Sequence, residues 1–95
     1  LTLYIPGWVE VDQIVKIAEL VHNVNPEIPF TVLAFFPAYK LSNTRSPKLL
    51  EMVNAYFAVK KVGLRNVKLG NCGVFARTQK DWDILITLVG QEAIG

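Results

Sequence analysis

One cysteine, Cys72, and one histidine, His22, are the only thiol and the only imidazole in 95 residues. A lone cysteine rules out an internal disulfide and suits a reducing compartment. A lone histidine with no second ligand of its kind argues against a transition-metal site built by this chain. Charge is equally thin: 19% of residues are charged, the net charge is +2, and Lys60-Lys61 is the only adjacent pair among ten scattered lysines and arginines. That pair sits near a predicted helix C-terminus, where cations complement the dipole, so no nucleic-acid interface is indicated. No signal peptide is visible, and no apolar run approaches the roughly 18 residues of a membrane span. The expected setting is therefore cytoplasmic, with neither membrane nor nucleic acid as partner.

What is abundant is apolar surface. Hydrophobic residues make up 52% of the chain and the mean hydropathy is +0.32. A solitary domain of this size does not need so much. The excess predicts cover from a partner subunit or from a missing portion of the same fold; an efficient core is the plainer alternative. The first residue, Leu1, is not methionine, and a strand begins almost at once. The expectation is a processed chain, a cloned piece or part of a longer reading frame, with an unusual initiator as the alternative.

The stretch Phe30 to Leu41, FTVLAFFPAYKL, organises the rest. Thr31 to Phe36 lacks polar alternation and predicts a core strand buried on both faces. Before it, Leu1 to Ile5 reads as a short strand stopped by Pro6-Gly7. From Val11 to Val24, Val11, Ile14, Val15, Ala18 and Val21 recur at helical spacing, with Asp12 in the first turn. Asn25, Pro26 and Pro29 then carry the chain into the central strand. Strand, helix and strand form a right-handed βαβ unit, which makes the strands parallel.

After the central strand, Ser46 is placed to cap a second helix, with Pro47 at its first position and Gly63 as its stop. Leu49, Leu50, Met52, Val53, Tyr56, Phe57 and Val59 cover more than one face of it, predicting packing on two sides. Asn66 to Gly70 is a third strand. Thr78 and Asp81 form a capping box for a last helix that Gly90 ends. The reading is an α/β class: residues 1–95 as a single α/β domain, a parallel βαβαβα piece of a partial (β/α) barrel. Three such strands leave two edges and a half-covered face, so the piece is expected to belong to a larger barrel or sheet.

Ligands of parallel α/β sheets sit at the carboxyl ends of the strands, which directs attention to the three strand exits. Tyr39 and Lys40, after the central strand, are candidates for an anionic ligand or a partner; the plain reading of Lys40 is a solvated cation. Gly70-Asn71-Cys72-Gly73 reads either as an amide-lined anion loop, on which a small phosphate- or nucleotide-binding domain would be built, or as an ordinary turn. Cys72 is either a reactive thiol or, more simply, a buried inert one. Glu10 and Asp12 form an acid–base pair or merely complement a helix dipole. His22 reads as a solvated or dipole-complementing residue. Phe30, Phe35, Phe36, Tyr56 and Phe57 are expected in the core, and Trp8 at an exposed or pocket-lining position.

The order and spacing of Tyr4-Ile5-Pro6-Gly7, a helix, Asn25-Pro26-Glu27-Ile28-Pro29, Leu33-Ala34-Phe35-Phe36-Pro37-Ala38-Tyr39-Lys40-Leu41 and Val67-Lys68-Leu69-Gly70-Asn71 resembles the C-terminal part of a protein family. That family is the radical S-adenosylmethionine proteins of the pyruvate formate-lyase-activating-enzyme type, especially members common in archaea. The resemblance covers residues 1 to 76 and reaches the last helix less specifically. It implies that Pro6, Gly7, Phe36 and Pro37 lie near bound S-adenosylmethionine or substrate, and that Tyr39, Lys40 and Asn71 are further ligand or partner contacts. Two departures stand out. The family's Cys-x3-Cys-x2-Cys, which holds a 4Fe–4S cluster, is absent. Relatives commonly carry a histidine where this chain has Phe36, which replaces a polar contact by an aromatic one. The resemblance therefore implies a fragment that holds neither cluster nor S-adenosylmethionine alone, has no catalytic residue of its own, and either joins a missing N-terminal half or self-associates. The rival is a stand-alone α/β binding module without catalysis.

Overall fold

Three parallel strands lie in the order in which the chain makes them, and this simple order determines where the two crossover helices go. The computed structural model describes residues 1–36 and 44–94. The strands are β1 (Thr2–Tyr4), β2 (Phe30–Ala34) and β3 (Val67–Gly70), and the helices are α1 (Val11–Val24), α2 (Leu49–Val62) and α3 (Gln79–Val89). A right-handed crossover between adjacent parallel strands puts its helix on a fixed side. Two successive crossovers moving in the same direction therefore place their helices on one face. The extents of 35 × 31 × 16 Å agree: the short dimension holds one sheet and one helix layer. This is the α/β, parallel βαβαβα arrangement expected. Among the described residues, no helix is long and apolar enough to cross a membrane.

The helix-facing side of the sheet is a closed core. Phe30, Val32 and Ala34 of β2, Tyr4 of β1 and Val67 and Leu69 of β3 alternate onto it and meet Ile14 and Ala18 of α1, Met52, Ala55 and Val59 of α2 and Leu85 of α3. Among the described residues, no helix covers the other side. The register Leu3↔Leu33↔Gly70 sets three residues in one row on it, and Thr31↔Lys68 sets two in the next. A Cβ at Gly70 would run into the δ-methyl of Leu33, so Leu33 lies across its neighbour strand where glycine leaves room. The expectation that β2 is buried on both faces is thus corrected: Thr31 and Leu33 are half-exposed. The strand also ends at Ala34, two residues before the apolar run does. An uninterrupted apolar run marks a strand made for two covers, and the described residues supply one.

Helix ends obey the residues that can satisfy orphan backbone groups. Thr78 caps α3, accepting from the Asp81 N–H at 3.1 Å while Asp81 accepts from the Thr78 N–H at 3.4 Å. Gly63, at φ 116°, ends α2 in the left-handed region. At the start of α2 the expectation is corrected: Lys48, not Ser46, is the N-cap, and the first helical residue is Leu49 rather than Pro47. Glu51 explains the shift, because its carboxylate accepts from the Lys48 N–H at 2.8 Å and pins the helix start there. At the amino ends of the strands, Asn66 donates its side-chain amide to the Glu27 carbonyl at 2.9 Å and Arg65 pairs with Glu27 at 2.7 Å, tying the two crossovers together.

Candidate functional site

Because neighbouring strands are parallel and in sequence order, their three carboxyl ends form one rim. At the first exit the chain folds back on itself: Ile5 and Val9 exchange both backbone hydrogen bonds at 2.8 Å, with Pro6 buried and Gly7 at φ 82° between them. Only glycine takes that φ without strain. The Gly7 N–H donates to Glu10 Oε2 at 2.6 Å, so this amide is already used. Glu10 also caps α1, its own N–H donating to Gln13 Oε1 at 2.9 Å. Glu10 thus organises the turn, and its carboxylate is committed to backbone rather than paired with Asp12. The turn leaves Trp8 63% exposed at its tip.

At the second exit, Phe35 donates its N–H to the Tyr4 carbonyl at 3.2 Å and is buried, while Phe36 is 63% exposed. Phe36 and Phe57 thereby depart from their expected place in the core; Phe30, Phe35 and Tyr56 hold theirs. Pro37, Tyr39 and Lys40 lie outside the described residues. At the third exit Asn71 adopts the left-handed conformation at φ 57°, and its side-chain amide donates to the Ala34 carbonyl at 3.2 Å. It thus ties the end of β3 to the end of β2. The chain then closes into a 3-10 turn, Cys72–Val74, in which the N–H groups of Val74, Phe75 and Ala76 donate to the Asn71 and Cys72 carbonyls. The stretch thus includes a turn.

Cys72 is buried, its thiol directed to the Leu69 carbonyl at 3.5 Å, and burial pushes its pKa up. A protonated, covered thiol is a poor nucleophile and a poor metal ligand. His22 is half-buried at the end of α1, with its ring against Gly63, where a Cβ would stand 2.8 Å from Nε2. Among the described residues, no three His, Cys, Asp or Glu side chains gather as a metal set would.

Behind the rim, on the helix side of the sheet, lies a polar group that sequence spacing did not suggest. Arg45 grips Glu51 with both terminal nitrogens, at 2.6 and 2.8 Å. Its hydrogen bonds hold the Glu51 carboxyl below the usual carboxylate range, against the opposing effect of burial. The Tyr4 phenol, at the end of β1, is raised by burial and then by the Glu51 and Glu10 carboxylates. A recess of about 220 Å³ opens beside it, lined by Tyr4, Glu10, Val11, Asp12 and Gln13. Arg45 and Glu51 are six residues apart across a helix start, so no helical spacing could have paired them. The larger recess of about 820 Å³, which Lys60, Lys68 and Glu92 border, opens beside the amino end of β3, away from the rim.

The rim therefore offers two exposed aromatic side chains, a glycine turn and an asparagine bridge beside a bare apolar sheet face. This geometry suits a flat, partly apolar ligand held against the sheet ends. It supplies no nucleophile, metal set or free acid–base pair among the described residues. No protein-family model, no curated protein and no solved structure matches the chain.

Proposed function

We propose that these residues are the later strands and helices of a radical S-adenosylmethionine barrel, similar to pyruvate formate-lyase activating enzymes. They would wall the cofactor site in a reducing, cytoplasmic setting. The observation that carries the reading is the one-sided sheet. Three parallel strands in chain order have every crossover helix on one face and a bare face holding Leu3, Leu33 and Gly70. Such a sheet is a barrel wall seen from inside, and barrel chemistry gathers at the carboxyl ends of the strands, where Pro6, Gly7, Phe36 and Asn71 are.

The donor set decides what this chain holds. A 4Fe–4S cluster needs three accessible thiolates, and Cys72 is single, buried and protonated. The chain does not fit the cluster; in the proposed barrel a segment bearing three cysteines would hold it and would supply the electron for cleavage of S-adenosylmethionine. For S-adenosylmethionine itself the fit lies at the rim: Phe36 presents an exposed ring for the adenine to stack on, and Gly7 a surface with nothing within 4 Å of an added Cβ. Asn71 keeps the two strand ends in line by its bond to Ala34.

The test is the reading frame upstream of Leu1 at its native locus, followed by S-adenosylmethionine titration of the full polypeptide. A three-cysteine segment and a Phe36→Ala variant that weakens binding by about tenfold, near 1.4 kcal/mol, are the expected results. Absence of the cysteines, or no change on losing the ring, counts against the reading. The exposed Leu1, Leu3, Trp8 and Leu20 also favour a second reading, a self-associating module without catalysis. Sedimentation of the isolated chain as a tight oligomer, with no cysteine segment upstream, would favour it.

A further inference from the structure

At the amino end of the sheet, opposite the rim, polar groups without partners converge on one recess. It has a volume of about 820 Å³ and lies between the second half of α2, the outer edge of β3 and the 3-10 turn Gln91–Ala93 that follows α3. Phe30 donates its N–H to the Asn66 carbonyl, so Asn66 and Lys68 turn their backbone groups toward β2. Val67, between them, turns its N–H and C=O outward, to the recess. Neither group finds a backbone partner among the described residues, because the returning chain meets β3 only where Ile94 bridges to Leu69. Val67 is 5% exposed, and strand amides so well covered are seldom left unpaired.

Tyr56, one turn before Lys60 on the same face of α2, is 8% exposed. Its hydroxyl makes no hydrogen bond among the described residues, yet no side-chain oxygen sealed from solvent lacks a partner there. The hydroxyl therefore opens into the recess that Tyr56 lines. Burial raises its pKa above the ordinary 10.0, so it keeps its proton and can donate it to a hydrogen bond. Charge is divided across the recess. Lys60 borders it from α2 and Lys68 from β3, and neither pairs with a carboxylate among the described residues; Arg65 beside them is already held by Glu27. Glu92 borders it from the turn, where the carboxyl-terminal carbonyls of α3 add partial negative charge. Val89 and Ala93 make that wall partly apolar.

We infer that this recess binds a short peptide with free termini, roughly two or three residues long. The peptide backbone pairs with the Val67 N–H and C=O, as an added strand would. Its C-terminal carboxylate is held by Lys60, Lys68 and the Tyr56 hydroxyl, and its N-terminal ammonium by Glu92. A plain anion would oppose Glu92 and the α3 carbonyls, and a plain cation would oppose two lysines. A ligand with both charges on a hydrogen-bonding backbone meets every group. Length is limited because Leu69, the other outward-facing residue of the strand's inner part, already has Ile94 as its neighbour. The recess is at the end of the sheet away from the rim, so it stands whether or not the barrel reading does.

The probe is trialanine with both termini free, titrated into the isotope-labelled 95-residue chain and followed by amide resonances. The expected result is a saturable shift of the Val67 amide, with its hydrogen exchange slowed by about tenfold. Amidating the peptide C-terminus or acetylating its N-terminus should each weaken binding by about tenfold. Lys60→Gln should abolish the penalty of amidation and Glu92→Gln the penalty of acetylation. Both changes are at exposed positions, and circular dichroism checks that the helices persist. No shift of Val67 at about 10 mM trialanine overturns the site. Doubly blocked trialanine binding as well as the free peptide, or variants that leave both penalties in place, overturns the division of charge and with it the peptide. Inorganic phosphate that shifts the same amides while trialanine does not makes the recess a plain anion site, which also overturns the inference.

Discussion

The two faces of one three-stranded sheet differ in everything except backbone. On the helix side Val32, Ala34 and Leu69 are fully buried and interlock with Ile14, Met52 and Leu85. On the other side Leu3 and Leu33 lie open beside Gly70, with Thr31 and Lys68 in the next row. The open face mixes two leucines and a glycine with Thr31 and Lys68, and among the described residues only the other face has helices packed against it. The difference teaches that hydrophobic pattern states what a surface is suited to, while burial states what has met it.

The largest expected effect breaks this comparison directly. Leu69→Ala, on the packed face, should lower unfolding free energy by about 2–5 kcal/mol, since transfer energy and a cavity are both lost. Leu33→Ala, on the open face, should change it by less than about 1 kcal/mol in the isolated chain. Urea midpoints at constant m-value read both. Equal losses would mean that the open face is covered in solution. Next in size is Gly70→Ala, whose new methyl collides with Leu33. With no layer above it, Leu33 can turn aside, so the loss should be about 1 kcal/mol, the low end of overpacking. In the Leu33→Ala background it should vanish, a coupling that a double-mutant cycle isolates. The same Gly70→Ala change made with the face covered should be worse, because Leu33 then has nowhere to go.

Much of the architecture was legible because its signals are local. The bounds of α1 follow from a clean amphipathic stripe ended by Asn25-Pro26, and Thr78, Asp81 and Gly90 bracket α3 by cap chemistry alone. Parallel order follows from the strand–helix–strand alternation. What was not legible depends on partners distant in sequence or absent from it. The double burial predicted for β2 is a property of two layers, and the described residues supply one. The start of α2 moved from Ser46 to Lys48 because Glu51 holds the Lys48 amide while Arg45 holds Glu51, a three-residue arrangement that no single capping preference encodes. At the rim, Pro6, Gly7, Phe36 and Asn71 were legible as strand exits. That the Gly7 amide is already taken by Glu10, and that Asn71 bridges to Ala34, only the fold could show.

The smallest effects distinguish the polar group behind the rim from the core beneath it, by pH. Glu51 titrates below its ordinary 4.5, with the Arg45 hydrogen bonds as the main cause. A carboxylate lowered by folding adds stability that is complete above the unfolded value and is lost as pH falls through the folded one. Arg45→Ala should therefore flatten the acid limb of a stability–pH curve below about pH 4.5, by about 0.2–1 kcal/mol because the pair is partly solvated. Tyr4 and Cys72 behave oppositely. Burial raises both above their ordinary 10.0 and 9.0, so the stability they add is complete below those values and disappears as pH rises through the folded ones. Denaturation at fixed urea from pH 3 to 11 separates the limbs. The acid limb should respond to Arg45→Ala and to salt, since it reports an exposed ion pair. The alkaline limb should begin near pH 9, ignore salt, and move upward toward the tyrosine range in Cys72→Ala, since it reports groups that folding has taken out of water. A salt-sensitive alkaline limb would instead place Tyr4 under the control of the Glu51 and Glu10 charges rather than of burial, and would make the polar group and the core one electrostatic unit.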